Sequence, residues 1–160
     1  MRILIADDHA GMRQNLVRMF EDVPEMQVVA EAVDGCVAVE LARELTPDVV
    51  IMDVEMPRLD GIDATRQIVT ECPGIRIVGL STHRSNAYVK AMLAAGASAY
   101  VLKDDMLGDL IEAVEAVTDG HAYLSPSLAS PHQTDNPFAP RLDSCCNGVD
   151  AVPAERSAGV

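Results

Sequence analysis

Aliphatic runs of four to six residues alternate with stretches whose apolar positions recur every three or four residues, five times over residues 1–120. Residues 2–6 predict a buried strand, after which Met12, Leu16, Met19 and Phe20 recur at helical spacing until Pro24. Residues 27–32 predict a second strand. Asp34 is placed to cap a helix with Val37, Leu41 and Leu45 as its inner stripe, ended by Pro47. A third strand runs from Asp48 to Met52, and Pro57 and Gly61 punctuate the loop behind it. Ile62, Thr65, Ile68 and Val69 then predict a helix that stops at Pro73-Gly74. Residues 75–80 are a fourth strand. A helix over 84–95 closes on Gly96 as a left-handed cap, and residues 99–102 are a fifth strand. Leu107, Leu110, Ile111, Val114 and Val117 form the stripe of the last helix, closed by Gly120. Apolar strands alternating with amphipathic helices predict an α/β fold: a five-stranded parallel sheet with five helices on its two faces.

Past Gly120 the pattern stops. Residues 125–140 hold Pro126, Pro131, Pro137 and Pro140 among Ser, Asn and Asp, and residues 141–160 show no apolar stripe of either period. Residues 1–120 are therefore expected to be the folded domain, and 121–160 a Pro/Ser-rich linker and disordered tail. A length of 160 residues suits one domain. With 49% apolar but only 3% aromatic residues, its core must be aliphatic.

The net charge of −13 is spread along the chain, with 10 basic and 21 acidic residues in 1–120 and 2 and 4 in the remainder. Neither part suits the neutralisation of nucleic-acid phosphates, so direct nucleic-acid binding is not expected. Basic partners and divalent cations are favoured instead. Of the cysteines, Cys36 and Cys72 fall within helical patterns and read as inert thiols, while Cys145-Cys146 lies in the polar tail, open to oxidation. The first apolar run breaks at Asp7, too early for a signal peptide, and no stretch approaches the ~18–20 apolar residues that span a bilayer. No membrane association and a cytoplasmic location are expected.

The chemistry gathers where the strands end. Asp7-Asp8, Asp53, Ser81 and Lys103 follow the first, third, fourth and fifth apolar runs, so parallel strands would bring them to one carboxyl edge, where open α/β sheets bind ligands. Carboxylates packed together repel unless a cation sits among them, and magnesium suits oxygen ligands that share it with phosphate. Asp53 is the candidate nucleophile, because a carboxylate can take a phosphoryl group as an acyl phosphate. Asp7 and Asp8 would hold the metal, directly or through water. Lys103 would offer a point charge and Ser81 a hydroxyl to phosphoryl oxygens.

These residues match a family. Ile3-Leu4-Ile5-Ala6-Asp7-Asp8-His9, Asp53-Val54-Glu55-Met56-Pro57 with Asp60-Gly61, Leu80-Ser81, and Gly96-Ala97 through Lys103 resemble the receiver domain of bacterial two-component response regulators. Asp7-Asp8-His9, Ser81-Thr82-His83 and Tyr123-Leu124-Ser125-Pro126 are similar to the subfamily whose receivers precede a NarL/LuxR-type helix-turn-helix. The resemblance implies a flavodoxin-like (CheY-like) doubly wound fold and a phosphoryl group donated to Asp53 by a sensor histidine kinase. It implies Mg2+ held by Asp8, Asp53 and the backbone carbonyl of Glu55, with Asp7 acting through water. Ser81 becomes the switch hydroxyl, Tyr100 the aromatic that changes rotamer with it, and Lys103 the partner of the phosphoryl oxygens. The surface thereby reshaped, on the fourth helix, fifth strand and fifth helix or on the first and fifth helices, would dock a partner or form a homodimer. Chemistry is confined to self-catalysed transfer and autodephosphorylation at Asp53; the chain is not otherwise an enzyme.

Glu55 and His83 flank the acceptor and the switch hydroxyl. Glu55 is expected to steer water there and set the acyl-phosphate lifetime, and His83 to be an exposed loop histidine. His9 reads as a helix-start residue. Asp104 follows Lys103 where many receivers have proline, and no helix-turn-helix is recognised after Ser125-Pro126.

Three other readings fit less well. An aspartyl phosphatase of the haloacid-dehalogenase type needs an aspartate two residues after its nucleophile, where this chain has Glu55. A flavodoxin-like cofactor binder needs a Ser/Thr/Gly-rich phosphate loop where this chain has Asp7-Asp8-His9. A degenerate receiver, serving as a phosphorylation-independent interaction module, would not need the intact acidic set.

Overall fold

The computed structural model describes residues 1–128. Its strands are β1 (Arg2–Ala6), β2 (Gln27–Ala32), β3 (Val49–Asp53), β4 (Arg76–Ser81), β5 (Ala99–Leu102) and β6 (Tyr123–Leu124). Between them lie α1 (Ala10–Glu21), α2 (Gly35–Leu45), α3 (Gly61–Glu71), α4 (Asn86–Ala94) and α5 (Met106–Thr118), and a 3-10 turn follows at Pro126–Leu128. The strands pair in parallel in the order β2-β1-β3-β4-β5-β6.

Alternation along each strand sorts the aliphatic residues into two layers. Leu4, Val50, Met52, Ile77, Tyr100 and Leu102 face Ala38 and Ala42 of α2, Ala64 and Ile68 of α3, and Val89 and Met92 of α4. Ile3, Ile5, Val49, Ile51, Val78 and Val101 face Leu16 and Phe20 of α1 and Leu110, Val114 and Val117 of α5. Continuous aliphatic runs are therefore what this sheet requires: both faces are buried. Among the described residues, no helix is long and apolar enough to cross a membrane.

The expected caps are present. Asp34 Oδ1 accepts from the Val37 amide at 3.0 Å, and Gly96 takes a left-handed φ of 110° behind α4. Strands β3 and β4 each reach one residue further than the pattern predicts, so Asp53 and Ser81 are the last residues of their strands rather than the first of their loops. Cys36 and Cys72 are half-buried thiols, as read from the sequence.

One boundary needs correction. The ordered domain does not stop at Gly120, because Tyr123–Leu124 adds a sixth strand along β5. Without it, β5 would be an edge strand with unpaired backbone groups. The Tyr123 amide instead donates to the Ser98 carbonyl at 3.2 Å, and the Ser125 amide to the Tyr100 carbonyl at 3.0 Å. Ser125 is fully buried; its Oγ accepts from the Leu102 amide at 3.1 Å and donates to Asp109 Oδ2 at 2.9 Å. Pro131, Pro137, Pro140 and Cys145-Cys146 lie outside the described residues, as does the Leu107 side chain.

Ser125→Ala leaves the buried Leu102 amide and the Asp109 carboxylate without this partner. It is expected to cost about 1–2 kcal/mol in urea denaturation, with faster hydrogen exchange at Leu102. An unchanged midpoint and unchanged protection would mean that the 121–128 segment is not part of the cooperative unit.

Candidate functional site

Strand order determines which side chains meet. Strands β1 and β3 are neighbours, with Ala6 opposite Met52, so the residues that follow, Asp7 and Asp53, lie side by side. Lys103 follows β5, on the far side of β4, some ~10 Å from the β3 backbone. A long flexible stem is needed to cross that gap. The Lys103 Nζ donates to Asp7 Oδ2 at 2.8 Å and to Asp53 Oδ2 at 2.9 Å, bridging the two carboxylates.

All three groups are withdrawn from water. Their side chains are 1% (Asp7), 5% (Asp53) and 10% (Lys103) exposed, whereas Asp8 stands at the rim at 33%. Burial raises the pKa of Asp53 above the usual carboxylate range and the neighbouring Asp7 charge adds to it; the Lys103 ammonium opposes both without cancelling them. For Lys103, burial works against the charged form, but the two carboxylates more than offset it and its pKa is raised. The site thus holds an ammonium that stays charged and, in Asp53, a carboxylate whose negative charge is incompletely compensated.

A carboxylate oxygen from each of Asp7, Asp8 and Asp53 and a His9 nitrogen all lie within 4.8 Å of one another. Hard oxygen donors at that spacing, with excess negative charge, suit a divalent cation, and the donor set fits Mg2+. A cleft of about 470 Å³ opens beside them, lined by Asp8, Glu55, Met56, Asp60 and Tyr88 among others.

Ser81 is buried at the end of β4, and its Oγ accepts from the His83 amide at 3.0 Å. Tyr100, the aromatic that the resemblance implies changes rotamer with Ser81, is fully buried, and its hydroxyl donates to the His83 carbonyl at 2.9 Å. Burial raises its pKa, helped by the nearby Asp53 and Glu55 charges and opposed by a hydrogen bond with Ser81.

The expectation that His83 is an ordinary exposed histidine is corrected. Its ring stacks on Tyr88 at 4.3 Å, nearly parallel at 10°, and its Nε2 stands 2.8 Å from Glu55 Oε2. The histidine therefore packs between the loop after β3 and the start of α4. Tyr88 went unnoticed in the sequence, where its only signal is its place one turn into a helix that begins just after the Ser81 loop. A second connection was also missed. Arg58 adopts a left-handed φ of 68° and its guanidinium pairs with Asp34 (Nε to Oδ2 2.8 Å), fastening the loop after β3 to the start of α2. Nothing in local sequence pairs residues 24 positions apart.

Residues 3–115 match the family model described as response regulator receiver domain. The transcriptional regulatory protein DegU of Brevibacillus brevis is 41% identical over 128 residues, covering 80% of this chain and 54% of that protein. The response regulator GacA of Pseudomonas aeruginosa is 36% identical over 146 residues, covering 86% of this chain and 68% of its own length. The chain thus spans from about half to two thirds of the length of these relatives. Among solved structures, a LuxR-family two-component response regulator from Aurantimonas sp. superposes with a TM-score of 0.77 at 40% identity, covering 80% of this chain and 91% of that one. The isolated receiver of RcsB from Salmonella enterica serovar Typhimurium, determined with the phosphomimetic BeF3-, gives a TM-score of 0.75 at 27% identity, covering 81% and 96%.

Proposed function

The chain belongs to the response regulator receiver family, with relatives of the NarL/LuxR type, and we propose that it is a switch driven by phosphorylation of Asp53. The observation that carries this reading is the Lys103 bridge across the buried Asp7 and Asp53 carboxylates, with the Asp8 carboxylate beside them. It supports the reading because a buried carboxylate, a positive charge and the Asp7, Asp8 and Asp53 oxygens lie around one point.

In the proposed reaction, an Asp53 carboxylate oxygen attacks the phosphorus of a phosphohistidine on a sensor kinase. The O–P bond forms as the P–N bond breaks, and the imidazole leaves on the kinase. Asp8, Asp53 and the Glu55 carbonyl, with Asp7 through water, would hold Mg2+, which would supply charge neutralisation for the phosphoryl oxygens. Lys103 can redirect its ammonium from the carboxylates to one of those oxygens. Ser81, whose Oγ accepts from the His83 amide, would turn its hydroxyl hydrogen to another.

The switch follows from how these groups are tied. A phosphoryl group that draws Ser81 toward Asp53 pulls on the His83 backbone, which holds both Ser81 Oγ and the Tyr100 hydroxyl. Ligation then favours one arrangement of the loop before α4 over the other. The outward face built from α4, β5 and α5, with the 121–128 segment lying along β5, is where a partner or a second copy would read the change. A face on α1 and α5 is the other candidate. Transfer and autodephosphorylation at Asp53 are the only chemistry in this reading.

The test is the intact mass of the protein after incubation with acetyl phosphate and Mg2+, beside an Asp53→Ala variant. One added phosphoryl group is expected, absent from the variant and from a sample treated with chelator. If no adduct forms after a rapid quench, and a beryllofluoride complex cannot be formed either, the phosphorylation-independent interaction module becomes the better account.

A further inference from the structure

Resting on the metal-assisted reading above, we propose that Arg13 is a positioning residue for that site: its guanidinium fixes the peptide that joins Asp7 to Asp8, and Glu31 fixes the guanidinium. The loop between β1 and α1 carries two of the three carboxylates, and its main chain is thinly held in the middle. The Asp7 amide donates to the Ala32 carbonyl at 3.1 Å, and the His9 amide to Asp7 Oδ1 at 2.8 Å. Among the described residues, no backbone hydrogen bond holds the Asp8 amide or carbonyl. The His9 ring stands 2.9 Å from Asp8 Oδ1, but that contact joins side chains and leaves the peptide free to turn.

Arg13 supplies the missing hold. Its Nη1 donates to the Asp7 carbonyl at 2.7 Å. That carbonyl and the Asp8 amide share one rigid peptide plane, so a donor on the oxygen sets the direction in which Asp8 leaves it. The Arg13 amide donates to the His9 carbonyl at 3.1 Å, so a single residue grips both ends of the loop. Its Nε donates to Glu31 Oε2 on β2 at 3.2 Å, and the side chain is only 13% exposed. The planar fork thus reaches from α1 to the ends of two strands at once, a geometry that a lysine cannot reproduce.

The competing explanation is an ordinary ion pair between Arg13 and Glu31, of little consequence for the site. The sign of the effect on a cation separates the two. A guanidinium beside a cation site repels the ion, so its removal would by charge alone tighten Mg2+ binding. Removal of a donor that orients the ligand-bearing loop weakens it.

Mg2+ is the probe, titrated by calorimetry into the full chain as wild type, Arg13→Ala, Arg13→Lys, Glu31→Gln and the double variant Arg13→Ala with Glu31→Gln. Arg13→Ala is expected to weaken Mg2+ binding about tenfold, and Arg13→Lys about threefold. Glu31→Gln should weaken it about twofold alone and add nothing in the Arg13→Ala background, because it acts through the arginine. In the metal-free protein, the His9 amide of Arg13→Ala should exchange faster while the amides of β4 keep their wild-type protection. Unchanged or tighter Mg2+ binding in Arg13→Ala, or an equal loss of protection throughout the domain, would overturn the proposal and leave the magnesium reading standing. If Arg13→Ala does not fold, Arg13→Lys and Glu31→Gln take its place, and wild-type affinity in both would overturn it. Failure of Mg2+ to bind the wild type would overturn the metal-assisted reading and the proposal together.

Discussion

Replacing Lys103 with alanine is expected to slow phosphoryl transfer to Asp53 by about a hundred- to a thousandfold, the usual loss when one preorganised charge is taken from developing negative charge. Rapid-quench mass measurement with acetyl phosphate and Mg2+ would read it. The variant also has a signature in stability that a merely slow enzyme-like site would lack. Lys103 is the direct partner of two buried carboxylates, so its removal leaves like charges facing each other in a poorly solvated place. Breaking a buried ionic group on one side costs on the order of 3 kcal/mol. The pH dependence has a definite sign. The folded pKa of Asp53 is raised already, chiefly by burial, and loss of Lys103 raises it further. A carboxyl whose folded pKa is raised favours folding in its protonated form. The deficit of Lys103→Ala should therefore be small at pH below the ordinary carboxylate range and grow as pH rises through the folded pKa. Mg2+ at neutral pH should recover much of it by replacing the missing charge. Urea denaturation at acid and neutral pH, with and without Mg2+, checks each statement, and a deficit independent of both would refute this account of the bridge.

The second large effect is expected at Gly61, the first residue of α3. A Cβ built there would stand 1.9 Å from the Asp53 carbonyl oxygen and 2.8 Å from its carbonyl carbon. Both are backbone atoms of β3, so no side-chain rotation relieves the clash. The Gly61 amide also donates to the Val54 carbonyl at 2.9 Å, which brings the start of α3 directly against the acceptor loop. Gly61→Ala must push the helix from the strand or displace the end of β3. A cost of about 3 kcal/mol is expected from such overpacking. Because the displaced atoms belong to Asp53 itself, Mg2+ affinity should fall at least about tenfold in protein that remains folded, since metal donors tolerate little misplacement. Thermal unfolding and Mg2+ titration together decide it; a stable variant with unchanged affinity would mean that the loop relaxes freely.

Much of this was legible in one dimension. The aliphatic runs had to be buried on both faces because they carry no polar alternation, and that alone implies parallel strands under helices. Parallel strands in turn place every strand end at one edge. Hence Asp7, Asp8, Asp53, Ser81 and Lys103 could be grouped before any distance was known. Asp34 and Gly96 were readable as caps because capping depends on residue type at a local position.

What escaped has a common physical cause. Strand β6 is two residues long and carries no periodic signal; it exists because the edge of β5 offers unpaired groups and Ser125 supplies a buried hydroxyl to Leu102 and Asp109. The His83 contacts join residues from separate loops, so His83 alone looked like surface. Arg58 with Asp34, and Gly61 with Asp53, likewise meet only because helices pack back onto the sheet.

The sequence by itself determined the parallel α/β architecture and the composition of the acidic strand-end group, since both follow from periodicity and from where each apolar run stops. Tertiary structure alone decided that Lys103 lies on Asp7 and Asp53, that His9 faces Asp8, and that the domain extends past Gly120. Those depend on strand order and on contacts across the fold, which no local pattern of residues encodes.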